Sequence, residues 1–127
     1  MVITDRNTNL VSRVAEKCRS LSNNKIIEVI ADVTNDDDVK RLINTTIDEF
    51  GRIDILVNNA GVGKMHTFES PNLMEVYSFT MDTNVRSVVL LTSLAAPYLE
   101  QTKGTIINIS SLVSLRPVSF KFLIFFK

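Results

Sequence analysis

The chain has a single cysteine, Cys18, so no internal disulfide can form, and a reducing, cytoplasmic setting is expected. It also has a single histidine, His66, and no Gly-x-Ser-x-Gly turn, which leaves a serine-hydrolase triad built on Ser111 without support. Charge of one sign is missing: 14 basic side chains balance 14 acidic ones, so nothing draws the chain to nucleic acid or to a membrane surface. Long apolar runs are missing too. Phe120 to Phe126 is too short to span a bilayer, and Met1-Val-Ile-Thr-Asp lacks the basic region and long apolar core of a secretory signal. Glycine is scarce, and all four glycines (Gly51, Gly61, Gly63 and Gly104) lie in the later part of the chain. No repeat or low-complexity linker is present. What remains is an ordinary globular composition, 45% hydrophobic and 22% charged over 127 residues, enough for one domain or part of one.

The apolar pattern divides the chain into alternating strands and helices. Val2 to Thr4 is a short strand stopped by Asp5. Leu10, Val11, Val14, Ala15, Cys18 and Leu21 recur at helical spacing and predict one buried face, on which Cys18 is a small core residue. Ile26 to Ile30 is β-branched and reads as a strand. Thr34 is the expected N-cap of the next helix. Asp36, Asp37 and Asp38 then meet the exposed N–H groups of its first turn, an arrangement that suits a helix start better than a metal site. Val39, Leu42, Ile43, Ile47 and Phe50 continue this helix, and Gly51 is its C-cap. Ser70 and Pro71 predict another helix start, with a bend near Asn84 and an end near Glu100. Gly104 turns the chain into a last strand, Thr105 to Ile109. The order β-α-β-α-β-α-β implies a parallel sheet with right-handed crossovers and helices on both faces.

The densest signal is Asp54-Ile-Leu-Val-Asn-Asn-Ala-Gly61. The run Ile53 to Val57 reads as a buried strand, and two amides close it. Adjacent Asn side chains at a strand's C-terminal end need partners, and that end of an open α/β sheet is where ligands bind. This run resembles the fourth-strand signature of the short-chain dehydrogenase/reductase family. Asp5, Asp32, Asn84 in Asp82-Thr-Asn-Val-Arg86, and Ser111 in Asn108-Ile-Ser-Ser follow in that family's order. The resemblance spans Val2 to about Pro117.

The resemblance implies an α/β fold, an incomplete doubly wound Rossmann-like parallel sheet with its first strand and C-terminal elements missing. Residues 1–117 become a partial NAD(P)-binding domain, and 118–127 an apolar tail outside the family pattern. It implies roles as well. Asp5 would accept hydrogen bonds from the adenosine ribose and favour NAD, while Arg6 could instead pair with the 2′-phosphate of NADP. Asp32 and the backbone of Val33 would hold the adenine. Asn58, Asn59, Ala60 and Gly61 would steady the sheet and edge the cofactor. Asn84 would bend its helix and serve a proton relay through its backbone carbonyl. Ser111 would hydrogen-bond a small-molecule alcohol or carbonyl substrate, while Ser110 lies on the other face of the strand.

Two family features have no counterpart in these residues. No glycine-rich turn precedes Asp5 to cradle a diphosphate. In the strand order 3-2-1-4-5-6, the corresponding strand would lie between Val2–Thr4 and Ile53–Val57, so two unpaired edges are expected. Where the family carries a Tyr-x-x-x-Lys pair, the chain reads Phe122-Leu-Ile-Phe-Phe-Lys127, and Phe cannot transfer a proton. Val118-Ser119 can be encoded by a splice-donor sequence, so Val118 to Lys127 is expected to be translated intron. The favoured expectation is a fragment of an NAD(P)-dependent oxidoreductase, inactive as written. The alternative is a non-catalytic protein that pairs with a full-length relative through the helix Val85 to Glu100, the helix through which the resemblance also implies a homo-oligomer. A methyltransferase using Asp5 for a ribose is a weaker third, since Asn58 to Gly61 and Ser111 argue against it.

Overall fold

The computed structural model describes residues 1–63, 67 and 69–111. His66, Phe122 and the tail 118–127 lie outside the described residues. Strand β1, Val2–Asp5, leads into helix α1, Thr8–Leu21, and then strand β2, Ile27–Ile30. Helix α2, Asp36–Phe50, precedes strand β3, Ile55–Asn58. Helix α3, Leu73–Met81, passes through a π-helical turn, Asp82–Arg86, into helix α4, Ser87–Thr102, and strand β4, Thr105–Asn108, follows.

Local chemistry sets most of these boundaries. Asn7 caps α1 by accepting a hydrogen bond from the Leu10 N–H. The cap of α2 is Asn35, not Thr34: its side chain accepts from the N–H groups of Asp37 and Asp38. Thr34 is occupied elsewhere, bonded to the Asp32 carboxylate. Ser70 and Pro71 belong to a turn in which the Leu73 N–H bonds the Ser70 carbonyl, so α3 begins two residues later than its sequence signal. Gly51 ends α2 in the left-handed region at φ 70, a conformation that favours glycine. Gly104 is needed for a different reason. A Cβ there would sit 2.5 Å from the Asp54 carbonyl oxygen and 2.6 Å from Leu99 Cδ2.

The strands form two separate parallel pairs, β1 with β2 and β3 with β4. The expected break in the sheet is therefore present. Helices cover both faces of the first pair. Glu28 of β2 bonds Ser12 and Arg19 of α1, while its neighbours Ile27 and Val29 join the cluster formed by α2 and α4. Alternation along a strand then puts α1 on one face and α2 with α4 on the other. The main core contains Val29, Ala31, Val39, Leu42, Ile43, Ile53, Leu91, Ala95 and Leu99. This packing, with no strand ladder between the pairs among the described residues, joins the two halves.

Two burial expectations are corrected. β3 is covered on one face only: Leu56 packs on the core, while Ile55 is 60% and Val57 51% exposed. On α1, Val11 and Ala15 are buried, but Leu10 and Val14 remain about half exposed and Leu21 more so, because a two-stranded pair is too narrow to cover a whole helix face.

Candidate functional site

The C-terminal ends of β1, β2 and β3 open on one cavity of about 340 Å³ between the two strand pairs. Asp5, Arg6, Asp32, Val33, Asn58, Asn59, Ala60 and Gly61 all line it. Eight of the ten residues singled out in the sequence therefore converge on one space. Asn84 reaches it through its neighbours, since Val62, Thr83 and Ser87 also line the wall. Ser111 is not on this wall. It is exposed and follows β4, which adjoins β3.

Each polar residue is held by its own set of bonds. The Asp5 carboxylate accepts from the Asn7 N–H at 2.9 Å, which ties the strand end to the capped start of α1. Asp32 accepts from the Thr34 N–H at 2.9 Å and the Thr34 hydroxyl at 2.7 Å. Its second oxygen lies 3.6 Å from an Arg6 guanidinium nitrogen. Partial burial opposes ionisation of Asp32, but the Thr34 hydrogen bonds and the Arg6 charge outweigh it, so its carboxyl titrates below the ordinary range. The Asp32 N–H donates to the Asp38 carboxylate, and this bond with Arg41 lowers the Asp38 pKa as well. The tips of β1, β2 and α2 thus form one connected polar rim.

Asn58 is 4% exposed and bridges β3, β4 and α4. Its amide nitrogen donates to Asn108 Oδ1 at 2.8 Å and to the Thr92 hydroxyl at 3.4 Å. Its Oδ1 is buried without a partner among the described residues, as is the hydroxyl of Thr4 across the cavity. Buried polar atoms of this kind call for an explanation.

Asn84 is also 4% exposed and sits within the π-helical turn. Its side chain makes a two-way clasp on one residue: Oδ1 accepts from the Val62 N–H and Nδ2 donates to the Val62 carbonyl, both at 2.8 Å. The loop that leaves the Asn-Asn-Ala-Gly run is thereby fixed to the helix. Val62 was not legible as a site residue, because nothing in its own side chain signals the clasp. The turn itself left a trace in the sequence. Thr80, Thr83 and Ser87 each donate to the carbonyl four residues back, a side-chain competition that loosens and bends helices. Arg86 anchors the far side of the turn by bonding both oxygens of Asp36, at 2.7 and 2.9 Å.

The family pattern described as short chain dehydrogenase matches residues 1–122. The 11-beta-hydroxysteroid dehydrogenase 1A of Arabidopsis thaliana is 39% identical over 111 residues, 87% of this chain and 32% of its own length. The 11-beta-hydroxysteroid dehydrogenase A of Sesamum indicum is 36% identical over 117 residues, 92% of this chain and 34% of its own. Among solved structures, a 7 alpha-hydroxysteroid dehydrogenase complexed with NADH and 7-oxo glycochenodeoxycholic acid superposes with a TM-score of 0.84 at 29% identity, covering 92% of this chain and 45% of that one. The apo glucose dehydrogenase of Caenorhabditis elegans gives a TM-score of 0.76 at 38% identity, covering 88% of this chain and 44% of that one. The chain spans about a third of the length of these sequence relatives and under half of these solved chains. Among the described residues, no helix is long and apolar enough to cross a membrane.

Proposed function

The chain belongs to the short chain dehydrogenase family, and from that premise we propose that it is part of an NAD(P)-dependent oxidoreductase, one that moves hydride between a nicotinamide and a small alcohol or carbonyl compound. The observation that carries this reading is the single cavity onto which Asp5, Asp32, Val33 and Asn58 to Gly61 open at the strand ends. In this reading Asp5 accepts from the adenosine ribose hydroxyls. Asp32 and the Val33 backbone take the adenine edge. The unpartnered Oδ1 of Asn58 is an acceptor left over for an incoming donor.

The cofactor, when bound, supplies the hydride chemistry. The chain's own residues bind and position. Asn84 steadies the loop at Val62, and Ser111 hydrogen-bonds the substrate oxygen. NAD is preferred over NADP, because Asp5 repels a 2′-phosphate and Arg6 is directed at Asp32. The fit covers the adenosine end of the dinucleotide. Among the described residues no glycine-rich turn precedes Asp5 to hold the diphosphate. The later helix, Val85 to Glu100 in the sequence reading, is proposed as the surface for pairing with a second copy.

Calorimetric titration of the 127-residue chain with AMP, NAD, NADP and S-adenosylmethionine tests the reading. Binding of AMP and NAD is expected, with affinity lost in Asp5→Ala. No NAD-dependent alcohol oxidation above blank is expected, since Phe122 stands where a proton-transferring Tyr is required. Binding of S-adenosylmethionine in preference to AMP and NAD, or of none of the four, overturns it.

A further inference from the structure

Two walls of the site are joined by a chain of polar contacts whose middle members do not line the cavity. On one wall, the Asp32 N–H donates to the Asp38 carboxylate at 2.9 Å, which ties the end of β2 to the first turn of α2. Asp36 opens that same turn, just after the Asn35 cap. Arg86, fifty residues further along the chain, donates to both Asp36 oxygens at 2.7 and 2.9 Å. Arg86 is also the last residue of the π-helical turn that holds Asn84. Asn84 in turn clasps Val62 on the other wall, with both bonds at 2.8 Å. Asp32 and Val62 both face the cavity.

A π-helical turn is a rare conformation, and it persists only where its surroundings hold it. Here the Ser87 N–H bonds the Asp82 carbonyl, five residues back. Beyond the turn, α4 is locked into the core by Leu91, Ala95 and Leu99. A slip of one residue into α register would rotate Asn84 by about 100° around the helix axis and carry its side chain off Val62. Arg86 stands where such a slip would begin. Its planar fork meets both carboxylate oxygens, so the pair fixes an orientation as well as a distance. The Arg86 hydrogen bonds hold the Asp36 carboxyl below its ordinary range, and Asp36 raises the Arg86 pKa. Lys40 and Asp82 add weaker attractions to the same two groups. Both side chains are close to half exposed, at 48% and 45%, so the pair adds little to overall stability and its effect is local.

We propose that Arg86 is a positioning residue: its two-pronged grip on Asp36 holds the turn in the register that keeps Asn84 on Val62, and so links the rim at Asp32 to the loop on the opposite wall. A nucleotide that steadies the rim then steadies the loop as well. That consequence rests on the cofactor reading, while the grip itself stands on the geometry alone. The link is reciprocal, because two sites that share one coupling free energy influence each other equally.

The test uses the full chain, isotope-labelled, with the Val62 amide and the Asn84 side-chain amide followed by NMR. Arg86→Gln is expected to speed exchange at Val62 by about fivefold or more and to shift the Asn84 side-chain resonances, with less than about twofold change at Ile107 in the β3–β4 ladder. Arg86→Lys keeps the charge and loses the fork, so it is expected to restore less than about half of the lost protection. In an Asn84→Ala background, Arg86→Gln is expected to add nothing at Val62. Saturating AMP is expected to slow Val62 exchange in the unmodified chain and not in Arg86→Gln. No speeding at Val62, equal speeding at Val62 and Ile107, the same effect with and without Asn84, or full rescue by Lys overturns the proposal, since Arg86 would then be an ordinary surface ion pair. So does AMP that binds at Asp32 and leaves Val62 unchanged. AMP that fails to bind overturns the cofactor reading instead, and the variants without nucleotide still decide the role of Arg86. If Asn84→Ala unfolds, the comparison of Gln with Lys at position 86 decides it.

Discussion

Asn84 and Asp32 show how differently two polar side chains of one site can be employed. Asn84 makes both of its bonds to a single backbone unit, so Asn84→Ala strips the Val62 N–H and carbonyl together. A loss of about 1–3 kcal/mol is expected from urea denaturation, with faster proteolysis at the Gly61 to Gly63 loop. Asp32 acts through charge. Its folded-state pKa lies below the ordinary 3.8, so on acidification the unfolded chain takes up the proton first. Its contribution is complete above that value and disappears as the pH falls through the folded pKa. Asp32→Asn is therefore expected to lower the urea midpoint at neutral pH, and to converge with the unmodified chain as the pH drops below about 4. Both residues stood out in the sequence, Asp32 just after a strand and Asn84 as a poor helix former inside a helical stretch, and the family resemblance singled out each of them. Their partners did not. Thr34 looked like a helix cap until Asp32 claimed it, and Val62 carries no polar side chain to advertise its role.

At the scale of elements, the alternation of strands and helices was readable because each run has its own period, two or 3.6, bounded by Asn, Asp or Gly. Burial was less readable. The Ile53 to Val57 run has the composition of a doubly covered strand, yet its outer face is bare, since apolar content records what a strand can bury and not which neighbour is there to bury it. The turn from α4 into β4 is the tightest junction. Lys103 adopts the left-handed conformation at φ 53, and Gly104 lies against the Asp54 carbonyl and Leu99. Gly104→Ala is expected to cost about 1–3 kcal/mol through this overpacking, measured as a lower urea midpoint, because one of the atoms met is rigid backbone.

For the molecule as a whole, the interruption of the sheet was the feature most fully anticipated, from the family resemblance and the strand order it implies. Side chains from β2, α2 and α4 make the main contact across it, around Val29, Leu42 and Leu91. That has a consequence for cooperativity. A continuous ladder forces its strands to melt together, whereas two ladders joined by one apolar cluster can open as separate units. β1, α1 and β2 carry a small core of their own at Val11 and Ala15. Native-state exchange in low denaturant is thus expected to resolve two groups of amides with distinct opening free energies. The β1–α1–β2 group should open first, and a single shared opening energy for all protected amides would contradict this. The chain then behaves as two folding units held in partnership, with the line of separation running through the site itself.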